Sequence, residues 1–231
     1  MSGGSFCIFC SLTPTPLPEG EGNWPFSEDI LRQFPDRFQD SELGPIPEGW
    51  EVRTLGSVAD VNWGDTSVTK KSYVKDGYLA YSAKGPDGAL PYYDYDRIGV
   101  VVSAIGANAG KTWLALGKWS CIKNTIRFWS TDSKLPTTYL FLATNDVHSW
   151  PRRGSAQPFI SQGDARNIRV IHPGKELGVI FDNHVSPVFE KMQCNLKESK
   201  DLTEVRDTLL PKLVSGELRV PDAEKLLEDA L

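Results

Sequence analysis

Between Trp50 and about Pro173 the apolar residues come in short bursts separated by turn formers, whereas beyond Pro173 they recur every three or four residues. The first pattern predicts strands. "GVVVSAI" (99–105) has the continuous apolar character of a buried strand, and "CIKNTIRFW" (121–129) alternates over part of its length. Turns are predicted at "KDG" (75–77), "GPDG" (85–88) and "ALGKW" (115–119), where Gly, Pro and Asp supply turn geometry. One stretch, "PTTYLFLATNDVHSW", reads as helix instead, with Tyr139, Leu142 and Ala143 at helical spacing.

The second pattern predicts a long helix. Phe181, Val185, Val188, Met192, Leu196, Ser199, Leu202, Val205, Leu209 and Leu213 form one apolar seam among charged residues, close to a heptad repeat. Pro187 predicts a kink or a fresh start at Ser186. From there to Leu209 is roughly 36 Å of helix at 1.5 Å per residue. "RDTLLPKLVSGEL" (206–218) predicts a stop by proline and glycine. The narrow stripe favours packing against another long helix, with Val188, Met192, Leu196, Leu202 and Leu209 as its contact residues. An amphipathic helix that pads its own domain is the bland alternative.

Together the patterns predict an α+β chain in five parts. Residues 1–23 read as a disordered leader, rich in Pro, Gly, Ser and Thr. Residues 24–49 read as an extended lead-in with one short helix opened by Ser27, then straightened by Pro35, Pro45 and Pro47. Residues 50–173 are the strand-rich domain, 174–218 the helix region and 219–231 a tail.

Composition narrows the class. The 231 residues are 40% hydrophobic and 24% charged, as in an ordinary soluble protein of one or two domains. No apolar run is long enough to span a bilayer, so no membrane partner is expected. The start lacks the basic n-region and apolar core of a signal peptide, which makes the cytoplasm the expected location. Cys7 and Cys10 form a C-x-x-C, but neither two further zinc ligands nor a thioredoxin-like context accompanies them, and incidental thiols are the reading. The net charge of −5 is uneven: residues 1–50 sum to −6, residues 51–172 to +5 and residues 173–231 to −4. Only the middle suits a polyanion.

Catalytic motifs are not found. "VVVSAIGANAGKTW" brings a glycine turn to Gly110-Lys111-Thr112, yet Gly106 is one residue too close for a phosphate loop and the following "TWLALGKWSCIKNTIRFW" reads as strand, turn, strand. A tight exposed loop from which Asn108 and Lys111 project is the alternative. His148, His172 and His184 lie at no metal-ligand spacing, and no metal is expected. "RRGSAQPFISQGDARNIRV" (152–170) is more informative, because Arg, Gln and Asn are the side chains that read base edges, while Ser and backbone N–H groups hold phosphates. Its polar groups could equally bond to one another in a plain loop; composition leaves both readings open.

Three stretches, "SELGPIPEGWEVRTLGSVADVNWG" (41–64), "GSAQPFISQGDARNIRVIHP" (154–173) and "VSPVFEKMQCNLKESKDLTEVRDTLLPKLVSGELRV" (185–220), resemble the specificity subunits of type I restriction–modification enzymes. The resemblance spans about residues 24–220 and is most specific in the last stretch. It implies a target-recognition domain that begins near the P-x-G-W motif ending at Trp50 and reads half of a split DNA site. It also implies a conserved spacer helix that packs antiparallel against its counterpart. Full members carry two of each; this chain has one, and resembles the C-terminal half.

The resemblance implies a non-catalytic DNA-specificity subunit that directs methylation and restriction by other subunits. Its partners would be double-stranded DNA, methyltransferase (modification) subunits, a restriction/motor subunit indirectly, and a second specificity half-subunit or another copy as homodimer. S-adenosylmethionine and ATP are expected only on partner subunits, and no cofactor here. The DNA-binding residues expected are Asn108, Lys111, Lys123, Asn124, Arg152, Arg153, Ser155, Gln157, Gln162 and Arg166. The rivals are a coiled-coil interaction protein or non-functional fragment without DNA-reading activity, and a nucleotide-using enzyme built on Gly106–Thr112.

Overall fold

The computed structural model describes residue 30 and residues 32–218, which divide into one unit up to His184 and a second from Val185. The leader, Ser27 and the tail lie outside the described residues.

Within the first unit, β1 (Phe38–Gln39) pairs with β2 (Ile46–Pro47), and a turn through Gly49, at φ +83°, delivers the buried Trp50. The chain continues through β3 (Glu51–Thr54), a single helical turn α1 (Leu55–Val58) and β4 (Ala59–Trp63). There follow β5 (Tyr78–Ser82), β6 (Gly85–Leu90), β7 (Tyr95–Asp96), β8 (Gly99–Ser103), β9 (Thr112–Ala115), β10 (Lys118–Cys121) and β11 (Thr125–Ser130). Then come α2 (Thr137–Thr144), α3 (Gln162–Arg166), β12 (Arg169–His172) and α4 (Lys175–Val214).

These strands build two four-stranded sheets. The inner sheet has the order β4-β11-β8-β9 and the outer sheet the order β6-β5-β10-β7, in which β5 and β10 run parallel. The continuous apolar run of β8 has a simple cause. Val100 and Val102 face a core shared with Leu55, Val58, Tyr139, Leu140 and Trp150, while Val101 faces the opposite way, toward Tyr81 and Trp119 of the outer sheet. Helices, inner sheet and outer sheet therefore make three layers, with the inner sheet buried on both faces. Close approach at the second interface is set by Gly99, where an added Cβ would lie 2.3 Å from the Trp119 ring. The same layer buries Cys121, and burial pushes its thiol up to about 12.

Where the chain enters and leaves this body, β3 and β12 pair antiparallel with Glu51 opposite His172. The His172 ring accepts the Gly174 N–H at Nδ1 (3.2 Å), so Nε2 carries the proton and donates to Asp132 (3.2 Å), which also meets Arg53. The Lys134 backbone N–H, together with His172 and Arg53, holds the Asp132 carboxyl below its ordinary range.

Three local expectations are corrected. "GPDG" is not a turn: Gly85 to Gly88 lie in β6, and the turn precedes them. Because β6 is an edge strand, Pro86 removes no ladder bond that the sheet needs. "CIKNTIRFW" is not one strand, since β10 ends at Cys121 and β11 starts at Thr125 in the other sheet. Pro187 neither restarts nor ends the helix; it lies inside α4, as does Pro211. Asn183 and Pro187 are both exposed, so the carbonyl left without its helical donor faces water. The stop is Gly216 alone, in the left-handed region at φ +75°.

Among the described residues no helix is long and apolar enough to cross a membrane. None of their His, Cys, Asp and Glu side chains form a group able to hold a metal ion.

Candidate nucleic-acid interface

One end of the two sheets gathers loops that are far apart in sequence. After β4, the Gly64 N–H donates to Thr125 O (3.0 Å), and a Cβ there would lie 2.3 Å from Thr125 Oγ1, so only glycine lets the chains pass so closely. The next residue, Asp65, donates its N–H to Cys121 O, and Lys123 N–H reaches Val68 O at 3.4 Å. The turn between β10 and β11 needs Asn124 at φ +69°, a conformation that asparagine tolerates. Its carbonyl accepts the Ala104 N–H at 3.0 Å.

The glycine loop after β8 folds back on itself as a 3-10 turn, Gly106–Asn108, with Gly106 and Gly110 at φ +76° and +91°. Gly110-Lys111-Thr112 leads into β9, not into a helix N-terminus, so the phosphate-loop geometry is absent here.

Residues 153–159 make a finger. Arg153 and Phe159 exchange both backbone hydrogen bonds (2.8 and 2.9 Å), while Gly106 N–H→Pro158 O (2.7 Å) and Ile160 N–H→Ala104 O (2.9 Å) fix its base to the glycine loop. Arg153 also binds Asp164 at 2.6 Å, and that bond holds the Asp164 carboxyl below its ordinary range. Asn124, Ala104–Gly106 and the finger thus lie side by side, as an extension of the inner sheet.

The sequence-predicted residues divide into two groups. Lys111, Lys123, Asn124, Arg152, Ser155 and Gln157 are exposed at this end. Among the described residues, the side chains of Lys111, Lys123, Arg152, Ser155 and Gln157 make no hydrogen bond or ion pair, whereas Arg153 is exposed but paired. The other three are engaged within the fold. Asn108 does not simply project; its Nδ2 donates to Ala83 O (3.2 Å) and ties the glycine loop to the β5–β6 turn. Gln162 and Arg166 both donate to Val61 O (2.9 Å each at their closest) and to Asn62 Oδ1, clamping α3 onto the edge strand β4. This is the loop-internal bonding that composition had left open.

The structure adds a cation that spacing did not reveal. Lys84 lies in the β5–β6 turn next to the Asn108 bond, exposed and without an ion pair among the described residues. Lys70, at the border, is paired with Asp87. No sequence signal connects residue 84 with 111 or 123; only the parallel β5–β10 pairing brings them to one end.

In the second unit, Val188, Met192, Leu196 and Leu202 are 66, 44, 65 and 55% exposed, whereas Leu209 is half-buried. Leu210 and Val214 extend the exposed apolar stripe.

No family model matches the chain. In sequence it is 26% identical over 224 residues to the type I restriction enzyme MjaIX specificity subunit of Methanocaldococcus jannaschii, covering 87% of this chain and 51% of that protein. It is 27% identical over 198 residues to the type I restriction enzyme HindI specificity subunit of Haemophilus influenzae, covering 75% of this chain and 42% of that one. In fold it is similar to the S subunit of a type I restriction–modification system from M. genitalium, with a TM-score of 0.56 and 20% identity over 72% of this chain and 46% of that one. The chain therefore resembles type I specificity subunits in sequence and in its α+β fold, and it spans about half the length of the curated relatives it matches.

Proposed function

We propose that this chain is a DNA-specificity half-subunit, equivalent to the C-terminal half of a type I restriction–modification specificity subunit, and that it has no catalytic role of its own. The observation that carries the reading is the convergence of Lys84, Lys111, Lys123 and Arg152, from four loops, at one end of the sheets without carboxylate partners among the described residues. A polyanion supplies the missing charge. The likeness to type I restriction enzyme specificity subunits supports duplex DNA as that polyanion. In this reading the lysines and Arg152 hold phosphates, Gln157, Ser155 and Asn124 meet base edges, and Asn108, Gln162 and Arg166 shape the loops that present them.

The helix seam would dock a partner. A stripe of leucine, valine and methionine this exposed is normally covered, and a chain half the length of its relatives suits a second half-subunit or another copy. Methyltransferase subunits would join that assembly in the cytoplasm and the restriction/motor subunit would follow indirectly, with S-adenosylmethionine and ATP bound on those partners. Mapping methylated sites in DNA from cells carrying this chain with its methyltransferase tests the whole reading. A mobility shift on duplex DNA, abolished by salt, is expected of the purified chain. A coiled-coil interaction protein without DNA affinity would give none.

A further inference from the structure

The finger carries an aromatic ring that the phosphate and base contacts above do not use. In the extended segment Pro158–Ile160 alternate side chains point to opposite sides. Ile160 points inward and is fully buried in the core, so Phe159 points outward and is 43% exposed. Its backbone is fixed: N–H and C=O are both bonded to Arg153, and Phe159 also bridges Ile105, which is half-buried. The ring lies beside Gly154, where an added Cβ would be 3.7 Å away. On one side of this Ile105–Phe159 ridge are Asn124 and Lys123; on the other are Arg153 and Arg152. Single exposed apolar side chains are ordinary on a protein surface. This one is an aromatic on a backbone bonded from both sides, in a ladder that runs from Asn124, next to Lys123, to Arg153, next to Arg152.

We propose that Phe159 is a wedge that stacks against a base at an opened step of bound duplex DNA. The inference rests on the DNA-reading function above and adds a contact that reads deformability instead of a base edge. The cations bring the duplex onto the face, and the ring gains contact area only where a base step unstacks. Steps that open easily are then favoured without any hydrogen bond to them.

The test uses the full chain and two labelled duplexes of one design, one fully paired and one with a central mismatch, compared by fluorescence anisotropy. The wild type is expected to prefer the mismatched duplex about tenfold, since its step is already loosened. Phe159→Ala should bring the ratio to about one with the salt slope unchanged; Phe159→Leu should keep most of it, because leucine also wedges. Lys111→Ala should weaken both duplexes alike and leave the ratio intact. A ratio that is the same in wild type and Phe159→Ala overturns the wedge while leaving DNA binding standing. A second readout needs no variant: 2-aminopurine beside the mismatch should brighten when wild type binds, because the inserted ring parts it from the neighbouring base that quenches it, and unchanged emission also overturns the proposal. Wild-type protein that binds neither duplex at low salt removes the DNA reading itself, and the wedge with it.

Discussion

Replacing Lys111 with alanine tests the charged face directly. Four cations there lack carboxylate partners among the described residues: Lys84, Lys111, Lys123 and Arg152. If each displaces one counterion from DNA, log Kobs against log salt has a slope of about −3.6, from roughly 0.9 per phosphate contact. Affinity for a random-sequence duplex then falls about 150-fold between 50 and 200 mM salt. Lys111→Ala removes one contact, which lowers the slope to about −2.7 and the fall to about 40-fold. Anisotropy titrations of a labelled duplex at several KCl concentrations measure both slopes. Lys134, exposed beyond the far end of β11, is the control, and Lys134→Ala should leave the slope alone. A wild-type slope near zero, or equal slopes for wild type and Lys111→Ala, would falsify the assignment of this end as the DNA face.

Leu202 is 55% exposed, and a full leucine burial is worth about 1.5–3 kcal/mol, so covering it in each of two copies contributes roughly 2–3 kcal/mol. Leu202→Asp should therefore weaken a dimer by about 30- to 150-fold while the strand-rich unit stays folded; light scattering checks it, and a wild-type mass near the 25.6 kDa of one chain at tens of micromolar (roughly) would mean that the seam awaits a different partner. Gln157→Ala should reduce discrimination between duplex sequences without changing the salt slope, as measured by binding selection from a random pool. Gly99→Ala drives a methyl group to 2.3 Å from the Trp119 ring and should cost about 1–3 kcal/mol, read as a lower urea midpoint. Asp132, whose carboxyl is held below the ordinary 3.8 by the Lys134 N–H, His172 and Arg53, contributes stability that is full above that value and is lost as pH falls through the depressed one. Thermal melts from pH 7 to 3 should show a steeper acid loss for wild type than for Asp132→Asn.

The elements that the sequence made legible are those whose pattern has one cause. β8 is apolar throughout because both its faces are buried, and α4 keeps a period of three and four because only one stripe seeks cover. Patterns with two causes misled. Gly85-Pro86-Asp87-Gly88 has turn composition, but an edge strand accepts the same residues, and the edge is a property of the whole sheet. Pro187 in sequence predicts a kink or a fresh start; in the fold it lies on an exposed side inside α4, so the helix runs on and no carbonyl is left buried. For the site, spacing found the loops at 104–111 and 152–159, missed the turn at 122–124 inside "CIKNTIRFW", and could not say which side chains would be engaged internally. Gln162, Arg166 and Asn108 find partners at Val61, Asn62 and Ala83, contacts set by strand order and invisible in any local window. Lys84 was missed for the same reason.

The pairing of β3 with β12 sets Glu51 opposite His172, so the backbone leaves the strand-rich body one strand spacing from where it entered, a gap of about 5 Å. To the rest of the chain, some 120 residues of sheet and loop amount to a stem of two short strands and a patch under the start of α4, where Tyr139 meets Phe181 and Thr138 bonds Asp182. A body attached in this way can be replaced by another with different loops, provided the new one ends in the same two strands and keeps a seat for Phe181 and Asp182.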